Sequence, residues 1–357
     1  MSDLEALGWD AGRETEFATH AAAGLVPGRV AVQHRGAYDV LTAAGVLRCE
    51  VPARLVREAA SIAELPAVGD WVAVEPGPDG GGTIHAVLPR RSRFSRKRAG
   101  ETAEEQVLAA NIDVVFLVTS LNEDLSLRRL ERYLTLAWDS GASPVVLLTK
   151  ADLAVDVPAA VAEVESVALG VPVLAVSART GEGVDAVREL LRGGLTGALL
   201  GSSGVGKSTL VNALLGEERL ETREIREDGR GRHTTVRREL VQLPGGGLLV
   251  DTPGIRELQL WAVEEGLQEA FEDVTSLFPR CRFSDCRHDA EPGCAVKEAL
   301  AAGTLAPERW ESYLKLQREL ELLERRLDTR LGAEERRRIR AFSKDVRRIS
   351  EERGRKR

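Results

Sequence analysis

The chain has 357 residues, of which 43% are hydrophobic and 29% charged, and its formal net charge is −7 at pH 7. These values are those of a soluble globular protein with room for two or three domains. No apolar run reaches the length needed to span a bilayer, so we expect no membrane association.

Residues 28–88 alternate short apolar segments with turn residues. We predict strands at 28–34, 37–41, 46–51, 69–74 and 83–88. Five short strands in one segment are typical of a small barrel of the oligonucleotide-binding (OB) type, although a barrel without nucleic-acid contact fits the same pattern. Trp71 and Tyr38 suit either base stacking or the barrel core, and the core is the commoner place for them.

Residues 90–98 form a strongly basic run that joins the predicted barrel to the rest of the chain. The six cations are Arg90, Arg91, Arg93, Arg96, Lys97 and Arg98. The acidic segment 101–105 follows and is expected to begin a helix. Such a run is usually a solvated linker. Because it adjoins a barrel suited to nucleic acid and includes Phe94, we favour contact with RNA phosphates.

The apolar runs 113–118 and 144–148 predict parallel strands that are buried on both faces. The second run ends in the tetrapeptide Thr149, Lys150, Ala151 and Asp152, which resembles the N/T-K-x-D motif of GTPases. A carboxylate at Asp152 can accept hydrogen bonds from N1–H and the exocyclic amine of guanine, and adenine offers neither arrangement. The motif therefore favours GTP over ATP.

A third apolar run, 171–176, ends in Ser177 and Ala178. This pair resembles the S-A-x motif, whose backbone approaches guanine O6. Open α/β sheets bind ligands at the carboxyl ends of their strands. Two such motifs at consecutive strand ends thus indicate a guanine site more strongly than either motif alone.

A complete phosphate-binding loop of the pattern G-x-x-x-x-G-K-[ST] occupies residues 201–208. Its members are Gly201, Ser202, Ser203, Gly204, Val205, Gly206, Lys207 and Ser208, and Thr209 follows them. A predicted strand at 196–200 precedes the loop, and a helix at 209–215 follows it, which is the context that distinguishes a true loop from a chance match. We expect backbone N–H groups and Lys207 to bind phosphates and Ser208 to bind Mg²⁺.

Two further segments suit the nucleotide switches. Residues 231–235 contain His233, Thr234 and Thr235, and either threonine can supply the Mg²⁺ hydroxyl. Residues 251–254 form a D-x-x-G motif in which Asp251 would hold Mg²⁺ through water and the Gly254 N–H would contact the γ-phosphate.

The place after Gly254, where many GTPases carry a water-orienting glutamine, holds Ile255. His233 is the nearest alternative group in the sequence and is our candidate catalytic residue. A purely structural use of its imidazole is an equal alternative.

The GTPase elements follow one another in an unusual order. The base motifs come first, then the phosphate loop, and then the two switch segments, so the chain resembles a circularly permuted GTPase. The same sheet can form because chain termini usually lie close together. As a consequence, the second switch leads directly into the C-terminal region.

That region contains Cys281, Cys286, His288 and Cys294. Three thiolates and one imidazole in a loop-rich stretch match a closed tetrahedral zinc site, which we expect to hold one structural ion. A disulfide is the alternative, but no signal peptide accompanies it. The remaining cysteine, Cys49, is expected to be a buried apolar residue.

The C-terminal part is predicted to be helical from Pro307, with an apolar seam that packs against the zinc module or, alternatively, against a partner. The seam consists of Tyr313, Leu316, Leu320, Leu323 and Leu327. From Arg325 onward the chain holds 14 basic and six acidic residues, a net charge of +8. Since the total is −7, the preceding 324 residues carry −15. An acidic body with a basic tail suits a large polyanion such as rRNA.

Taken together, the segments 201–209, 231–235 and 251–257 and the Cys3His cluster resemble the RsgA (YjeQ) family of circularly permuted GTPases, which act in late assembly of the small ribosomal subunit. The resemblance covers nearly the whole chain. The chain departs from the family pattern at Thr149, where many GTPases carry Asn, and at Val236, where members often carry a further threonine. The first change is expected to weaken one hydrogen bond to the loop network.

The resemblance implies a multidomain α/β protein: an OB-type β-barrel within residues 1–98, a permuted GTPase domain at 99–260, and a zinc-binding helical domain with a basic tail at 261–357. It also implies a GTP hydrolase that uses Mg²⁺, binds 16S rRNA in the 30S subunit and is stimulated by that subunit. We expect a cytoplasmic monomer. The alternatives are a GTPase that acts on another RNA or ribonucleoprotein, and an RNA-binding protein with only a regulatory nucleotide site.

Overall fold

The computed structural model describes residues 4–97, 105–122, 125–217, 238–251, 264–289 and 291–321. Helix α1 (Ala11–Ala22) follows a 3₁₀ turn at Glu5–Leu7, and the Asp10 side chain caps it by accepting from the Arg13 N–H at 2.9 Å. A short-chain carboxylate at this position satisfies one of the free amides of the first turn.

A five-stranded barrel follows. Its elements are β1 (Val26–Gln33), β2 (Tyr38–Thr42), β3 (Gly45–Glu50), α2 (Ala53–Glu58), β4 (Trp71–Pro76) and β5 (Gly81–Val87). Strand β1 pairs with β2 and β4, β2 with β3, β3 with β5 in parallel, and β5 with β4, so the barrel closes on itself. The predicted OB-type barrel is confirmed, with strand ends shifted by one or two residues.

The barrel aromatics are core residues. Trp71 is 1% exposed and Tyr38 is 8% exposed. Trp71 packs edge-on against Trp9, with 4.7 Å between ring centroids. Cys49 is fully buried in the same barrel, as expected, and burial raises its pKa to about 11. Base stacking on Trp71 or Tyr38 is therefore excluded.

Part of the basic run forms a β-strand and is not a solvated linker. Strand β6 (Arg93–Lys97) pairs antiparallel with β7 (Glu105–Ala110), so Glu105 belongs to a strand and not to the predicted helix start, whose other residues, 101–104, lie outside the described residues. Arg90 donates to both carboxylate oxygens of the buried Asp70, at 2.8 and 2.7 Å.

Most of the described remainder of the run also has partners within the protein. Arg91 pairs with Asp10, Arg93 with Glu105 and Arg96 with Gln106. Phe94 is only 2% exposed. The side chains of Arg90 and Phe94 are held within the protein, so the predicted contact of the run with RNA phosphates, which stays a prediction, falls to its more exposed members Arg91 and Arg93. Arg98 lies outside the described residues.

A buried polar network joins the first helix, the barrel and the segment that follows β7. Arg13 donates to the Asn111 side-chain oxygen at 2.7 Å, and Arg29 donates to the Asn111 carbonyl at 2.9 Å. Asn111 in turn donates to the Gly69 carbonyl at 3.1 Å. Burial lowers the pKa of Arg29 to about 10, so it remains charged at neutral pH. Because buried donors need partners, this network fixes the barrel against the segment that connects β7 with β8.

The central sheet consists of β8 (Val114–Ser120), β9 (Ser143–Thr149), β10 (Val173–Ala175), β11 (Thr196–Leu200), β12 (Glu239–Gln242) and β13 (Leu248–Asp251). Its spatial order is β10-β9-β8-β11-β13-β12, and all neighbours are parallel except β12 with β13. The helices between these strands are α3 (Leu127–Asp139), α4 (Val157–Glu165), α5 (Val184–Glu189) and α6 (Lys207–Leu215). Near-continuous apolar strands form such a sheet because both faces are covered.

The strand order confirms the permutation. Strand β11, which precedes the phosphate loop, lies in the middle of the sheet between β8 from the earlier part of the chain and β13 from the later part. One antiparallel pair, Val32 with Glu239, joins β1 of the barrel to β12 at the sheet edge.

The C-terminal region is helical around the cysteine cluster. It contains α7 (Glu264–Ala270), α8 (Glu272–Thr275), α9 (Ala295–Ala301) and α10 (307–321). Helix α10 begins at Pro307, as predicted. Its seam residues Tyr313, Leu316 and Leu320 are buried in a core shared with Leu130 and Leu134 of α3 and with Phe271. The described part of the seam thus packs inside the protein. Leu323, Leu327 and the basic tail lie outside the described residues.

Candidate active site and metal centre

The phosphate loop follows β11 and ends where α6 begins. Gly201 passes so close to β8 that a Cβ there would lie 2.2 Å from the Val118 carbonyl oxygen, which only glycine permits. Gly204 and Gly206 have φ values of +83° and +94°, in the left-handed region that favours glycine. The three glycines therefore set the path of the loop, and Lys207, Ser208 and Thr209 form the first turn of α6. Free N–H groups at such a helix start attract anions.

The Lys207 side chain reaches back across the phosphate loop to the first residues of that loop. Its Nζ donates to the Gly201 carbonyl at 2.6 Å and also to the Ser202 carbonyl, and the residue is only 7% exposed. From the other side, Arg129 of α3 donates to the Ser202 hydroxyl at 2.7 Å. Two cations thus converge on the first residues of the loop, which suits an anionic ligand.

Thr149 connects the base motif with the phosphate loop. Its hydroxyl lies 2.5 Å from the Val205 carbonyl and 3.2 Å from the Thr119 carbonyl. A threonine at this position therefore keeps a direct bond to the loop network. The next residue, Lys150, has φ +59°, so the chain turns sharply after β9 and presents Ala151 and Asp152 at the sheet edge.

The two predicted guanine motifs meet at the carboxyl ends of β9 and β10. The Ser177 hydroxyl donates to Asp152 Oδ1 at 2.7 Å, and the Ala151 N–H donates to the Val176 carbonyl at 3.2 Å. Ser177 is fully buried and Ala178 follows it. Each carboxylate oxygen has more than one acceptor site, so Asp152 can hold Ser177 and still accept from a ligand.

The remaining nucleotide residues are described only in part. Asp251 is the last residue of β13, which is parallel to β11 and adjacent to it, so its backbone lies at the same sheet edge as the phosphate loop. His233, Thr234, Thr235 and Gly254 lie outside the described residues.

The four predicted metal ligands come together in the C-terminal module. The candidate ligand atoms of Cys281, Cys286, His288 and Cys294 all lie within 4.8 Å of one another. His288 Nδ1 is 3.6 Å from the Cys281 sulfur and 3.5 Å from the Cys294 sulfur. A tetrahedral zinc with ordinary bond lengths separates S and N ligands by about 3.6 Å. The donor set and its spacing therefore fit zinc.

Aromatic packing holds the cluster against α10. Phe278 stacks on the His288 ring at 4.4 Å between centroids, and Trp310 of α10 meets the same ring edge-on at 5.8 Å. His288 has φ +62°, in the left-handed region that non-glycine residues seldom adopt. Burial lowers the pKa of His288, which favours the neutral ring that a metal binds. Because four protein ligands complete a tetrahedron, the site has no place for a substrate.

Several contacts at these sites were not predictable from sequence motifs. The Ser177 hydroxyl was assigned no role, and Arg129, Glu131 and Arg309 were not singled out. Arg309 of α10 donates at 2.8 Å to Glu131 of α3, which lies 178 positions earlier in the chain. Of these, only Ser177 carried a local signal, since a hydroxyl next to a base-reading strand end can orient a carboxylate.

In the part of the chain that the structure describes, the helices are all too short or too polar to cross a bilayer. The arrangement as a whole can hold a guanine base at one end of the sheet edge and phosphates at the centre. The cysteine cluster lies in the C-terminal helical region, beside α10.

Comparison with known proteins gives consistent matches. The sequence profile of the RsgA GTPase family matches residues 87–261. The chain is 49% identical over 344 residues to the small ribosomal subunit biogenesis GTPase RsgA of Opitutus terrae, covering 93% of this chain and 94% of that protein. It is 47% identical over 345 residues to the protein of the same name from Streptomyces coelicolor, covering 93% and 91%.

Solved structures agree with this similarity. The crystal structure of YjeQ from Thermotoga maritima aligns with a TM-score of 0.65 at 30% identity and covers 83% of this chain and 98% of its own. YloQ, described as a circularly permuted GTPase, aligns with a TM-score of 0.63 at 24% identity over 83% of this chain and 95% of its own, which supports the fold.

Proposed function

The chain belongs to the RsgA GTPase family, and we propose that it hydrolyses GTP during late maturation of the small (30S) ribosomal subunit. The nucleotide state would control its association with the subunit. The observation that carries the proposal is the contact between Asp152 and Ser177, which combines two guanine motifs into one site joined to the phosphate loop through Thr149.

Guanine recognition is assigned to the ends of β9 and β10. Asp152 would accept from guanine N1–H and the exocyclic amine, with Lys150 and Ala151 beside it and with Ser177 and Ala178 near O6. The hydrogen bond from Ser177 orients Asp152 before the nucleotide arrives. A carboxylate that is already in position loses less side-chain entropy on binding.

The phosphates are assigned to residues 201–209, which include Lys207. We propose that Ser208, Thr234 and Asp251 would hold Mg²⁺ and that the Gly254 N–H would contact the γ-phosphate. In phosphoryl transfer the metal neutralises charge that develops on the phosphate oxygens. The residues of the chain supply position: Gly201 and Thr149 fix the loop path, and Lys207 supplies a second cation.

The cysteine cluster is assigned to one structural zinc ion. Cys281, Cys286, His288 and Cys294 would hold it, and the 3.5–3.6 Å spacing between nitrogen and sulfur atoms supports zinc over a disulfide, as does the shared geometry of all four donors. The ion would stabilise the loop that presents residues 282–293.

We propose that the chain divides into three units, 1–98, 99–260 and 261–357. The RNA contacts are assigned to the barrel of the first unit and to the zinc module and basic tail of the third. The charge of +8 beyond residue 324 supports contact with 16S rRNA. Arg90 is left out because Asp70 holds it in the interior. We further propose that the protein acts in the cytoplasm as a monomer.

Turnover of GTP, measured with and without purified 30S subunits, tests the proposal. We expect intrinsic turnover on the order of 10⁻³ per second or slower and a strong increase with subunits, as for GTPases whose switches are ordered by a partner. Stimulation by another RNA but not by 30S would favour a different ribonucleoprotein. Tight GTP binding without turnover under any condition would favour a regulatory nucleotide site.

His233 is the proposed catalytic residue, because Ile255 has no group that can orient water. His233→Ala should lose the subunit-stimulated rate while the affinity for GTP stays within about threefold, since the affected interaction forms only in the transition state. Single-turnover rates on saturating 30S subunits measure this. A variant that is stimulated as strongly as the wild type would make His233 structural.

A further inference from the structure

On the basis of the proposed GTP site, we infer that helix α3 is a rigid link between the phosphate loop and the C-terminal module. Arg129 and Glu131 are its positioning residues. This link is distinct from the chain connection through the second switch, because it uses side chains of a helix that precedes the phosphate loop in the sequence. It gives the module a direct influence on nucleotide affinity.

At one end of the link, α3 holds the phosphate loop. Arg129 donates to the Ser202 hydroxyl at 2.7 Å, and the Ser202 carbonyl accepts from Lys207. Ser202 thus lies between two cations and is fixed through both its side chain and its backbone. Hydrogen bonds with a charged donor are about twice as strong as neutral ones. The position of Arg129 therefore affects the path of the loop that would surround the phosphates.

At the other end, α3 holds the C-terminal module. Glu131 accepts from Arg309 at 2.8 Å, and the two side chains are only 3% and 5% exposed. Arg309 also donates to Asp273 at 2.9 and 3.1 Å and to the Ala270 carbonyl at 2.6 Å, and it lies 4.0 Å above the Phe271 ring. A buried ion pair whose partners are satisfied in this way has one strongly preferred geometry.

The helix itself transmits the position of one end to the other. Residues 129 and 131 are separated by about 200° around the helix axis, so they face opposite sides. Leu130 and Leu134 on the same helix are buried in the core shared with α7 and α10. Close-packed interiors yield little to displacement, so a shift at Arg309 is passed on to Arg129.

Two exposed ion pairs connect the same helices and provide controls. Arg128 lies 3.8 Å from Glu311, and Arg132 lies 3.4 Å from Glu319. Exposed pairs contribute little because water and salt screen them. They share the location of the buried pair but not its rigidity.

The experiment measures the affinity of the purified full-length chain for GDP and for a non-hydrolysable GTP analogue. Glu131→Gln keeps the shape of the side chain, and we expect at least about fivefold weaker binding, the lower end of typical coupling between sites. Arg129→Met should lose a similar factor. Because the two residues act in series, the double variant should bind nucleotide about as weakly as the single variant with the lower affinity.

Arg128→Met is the matched control, since it removes a cation from the same helix, next to Arg129, whose partner Glu311 is exposed. It should leave both affinities within about twofold, as should Arg132→Met. Arg129→Lys should restore most of the affinity that Arg129→Met loses, because an ammonium can still donate to Ser202.

The outcomes separate the link from the proposed function. A wild-type chain that binds neither nucleotide contradicts the GTP site. A wild type that binds, with Glu131→Gln and Arg129→Met both within twofold of it, overturns the link alone, as does full additivity in the double variant. If Glu131→Gln loses its circular dichroism signal, Arg309→Lys replaces it with the same expected loss, because an ammonium cannot reproduce the forked contacts of the guanidinium.

Discussion

Two carboxylates, Asp152 and Asp70, illustrate how position decides the use of a residue. Asp152 lies at a sheet edge and accepts one hydrogen bond from Ser177, so it retains acceptor sites for a ligand. Asp70 is fully buried and accepts from Arg90 and from the Ala67 N–H at 2.8 Å. We assign the first to base recognition, whereas the second stabilises the fold.

Asp152→Asn should change the base preference from guanine to xanthine, because an amide can donate to the additional carbonyl of xanthine. In the wild type, ATP should bind at least about a hundredfold more weakly than GTP, since an unmatched polar edge is costly to bury. Competition binding with GDP, XDP and ADP measures both. Comparable affinities of the wild type for ADP and GDP would contradict the base assignment.

Arg90→Ala should lower the free energy of unfolding by about 3–5 kcal/mol, because it leaves a buried carboxylate without its partner. Urea denaturation measures the loss. Arg91→Ala is the control: its pair with Asp10 is half-exposed, so the change should stay below about 1 kcal/mol. If the folded Arg90 variant instead keeps full stability and loses RNA affinity, Arg90 is a surface residue after all.

At the scale of elements, α3 and α10 are joined by both apolar and charged contacts. Tyr313, Leu316 and Leu320 share a core with α3, and Arg309 completes the contact through Glu131. The proposed zinc loop packs on the same helix α10 through Trp310 and His288. Helix α10 thus supports both the Cys3His cluster and α3.

Cys286→Ala should abolish stoichiometric zinc and destabilise the loop 281–294, because structural zinc supplies folding free energy. None of the four proposed zinc ligands contacts the phosphate loop in the described part of the chain, so the affinity for GDP should fall by no more than about tenfold. A loss of that size lies within the range expected of coupling through α3. Metal analysis and GDP titration measure the two effects.

For Cys49→Ala, the control, zinc content should remain at one ion per chain because Cys49 lies alone inside the barrel. A freshly purified wild type without zinc would contradict the metal assignment. Complete loss of GDP binding in Cys286→Ala with an intact C-terminal module would contradict the separation of the two sites.

At the scale of the whole molecule, the barrel and the central sheet are connected rather than freely jointed. Asn111, which follows β7, accepts hydrogen bonds from Arg13 of α1 and Arg29 of the barrel. Val32 of the barrel pairs with Glu239 at the edge of the sheet. The body carries a charge of −15 and the tail +8. An acidic body with a basic tail should approach a polyanion mainly through that tail.

Removal of residues 325–357 should weaken binding to 30S subunits by at least about tenfold at moderate salt and make the salt dependence less steep, because fewer phosphate counterions are released. GDP affinity should not change, since Arg309 and the described seam residues are retained. Binding measured over a range of salt concentrations tests this. An unchanged salt slope would exclude the tail from RNA contact.

The sequence by itself determined the features that depend on local backbone requirements and residue spacing. The glycines of 201–206, the apolar strands of the sheet, the five barrel strands and the Cys3His spacing each need particular residue types at fixed short intervals. These requirements can be recognised in the sequence without knowledge of the tertiary contacts. They were enough to infer the permuted order and the metal cluster.

Only the tertiary structure decided which distant side chains meet. Arg90 faces Asp70 instead of solvent, Ser177 orients Asp152, and Arg309 reaches Glu131 from 178 positions away. A charge run such as 90–98 has the same composition whether its side chains form ion pairs within the protein or bind RNA phosphates. The difference depends on the desolvation and pairing of each charge, and these are properties of the packed fold rather than of any local segment.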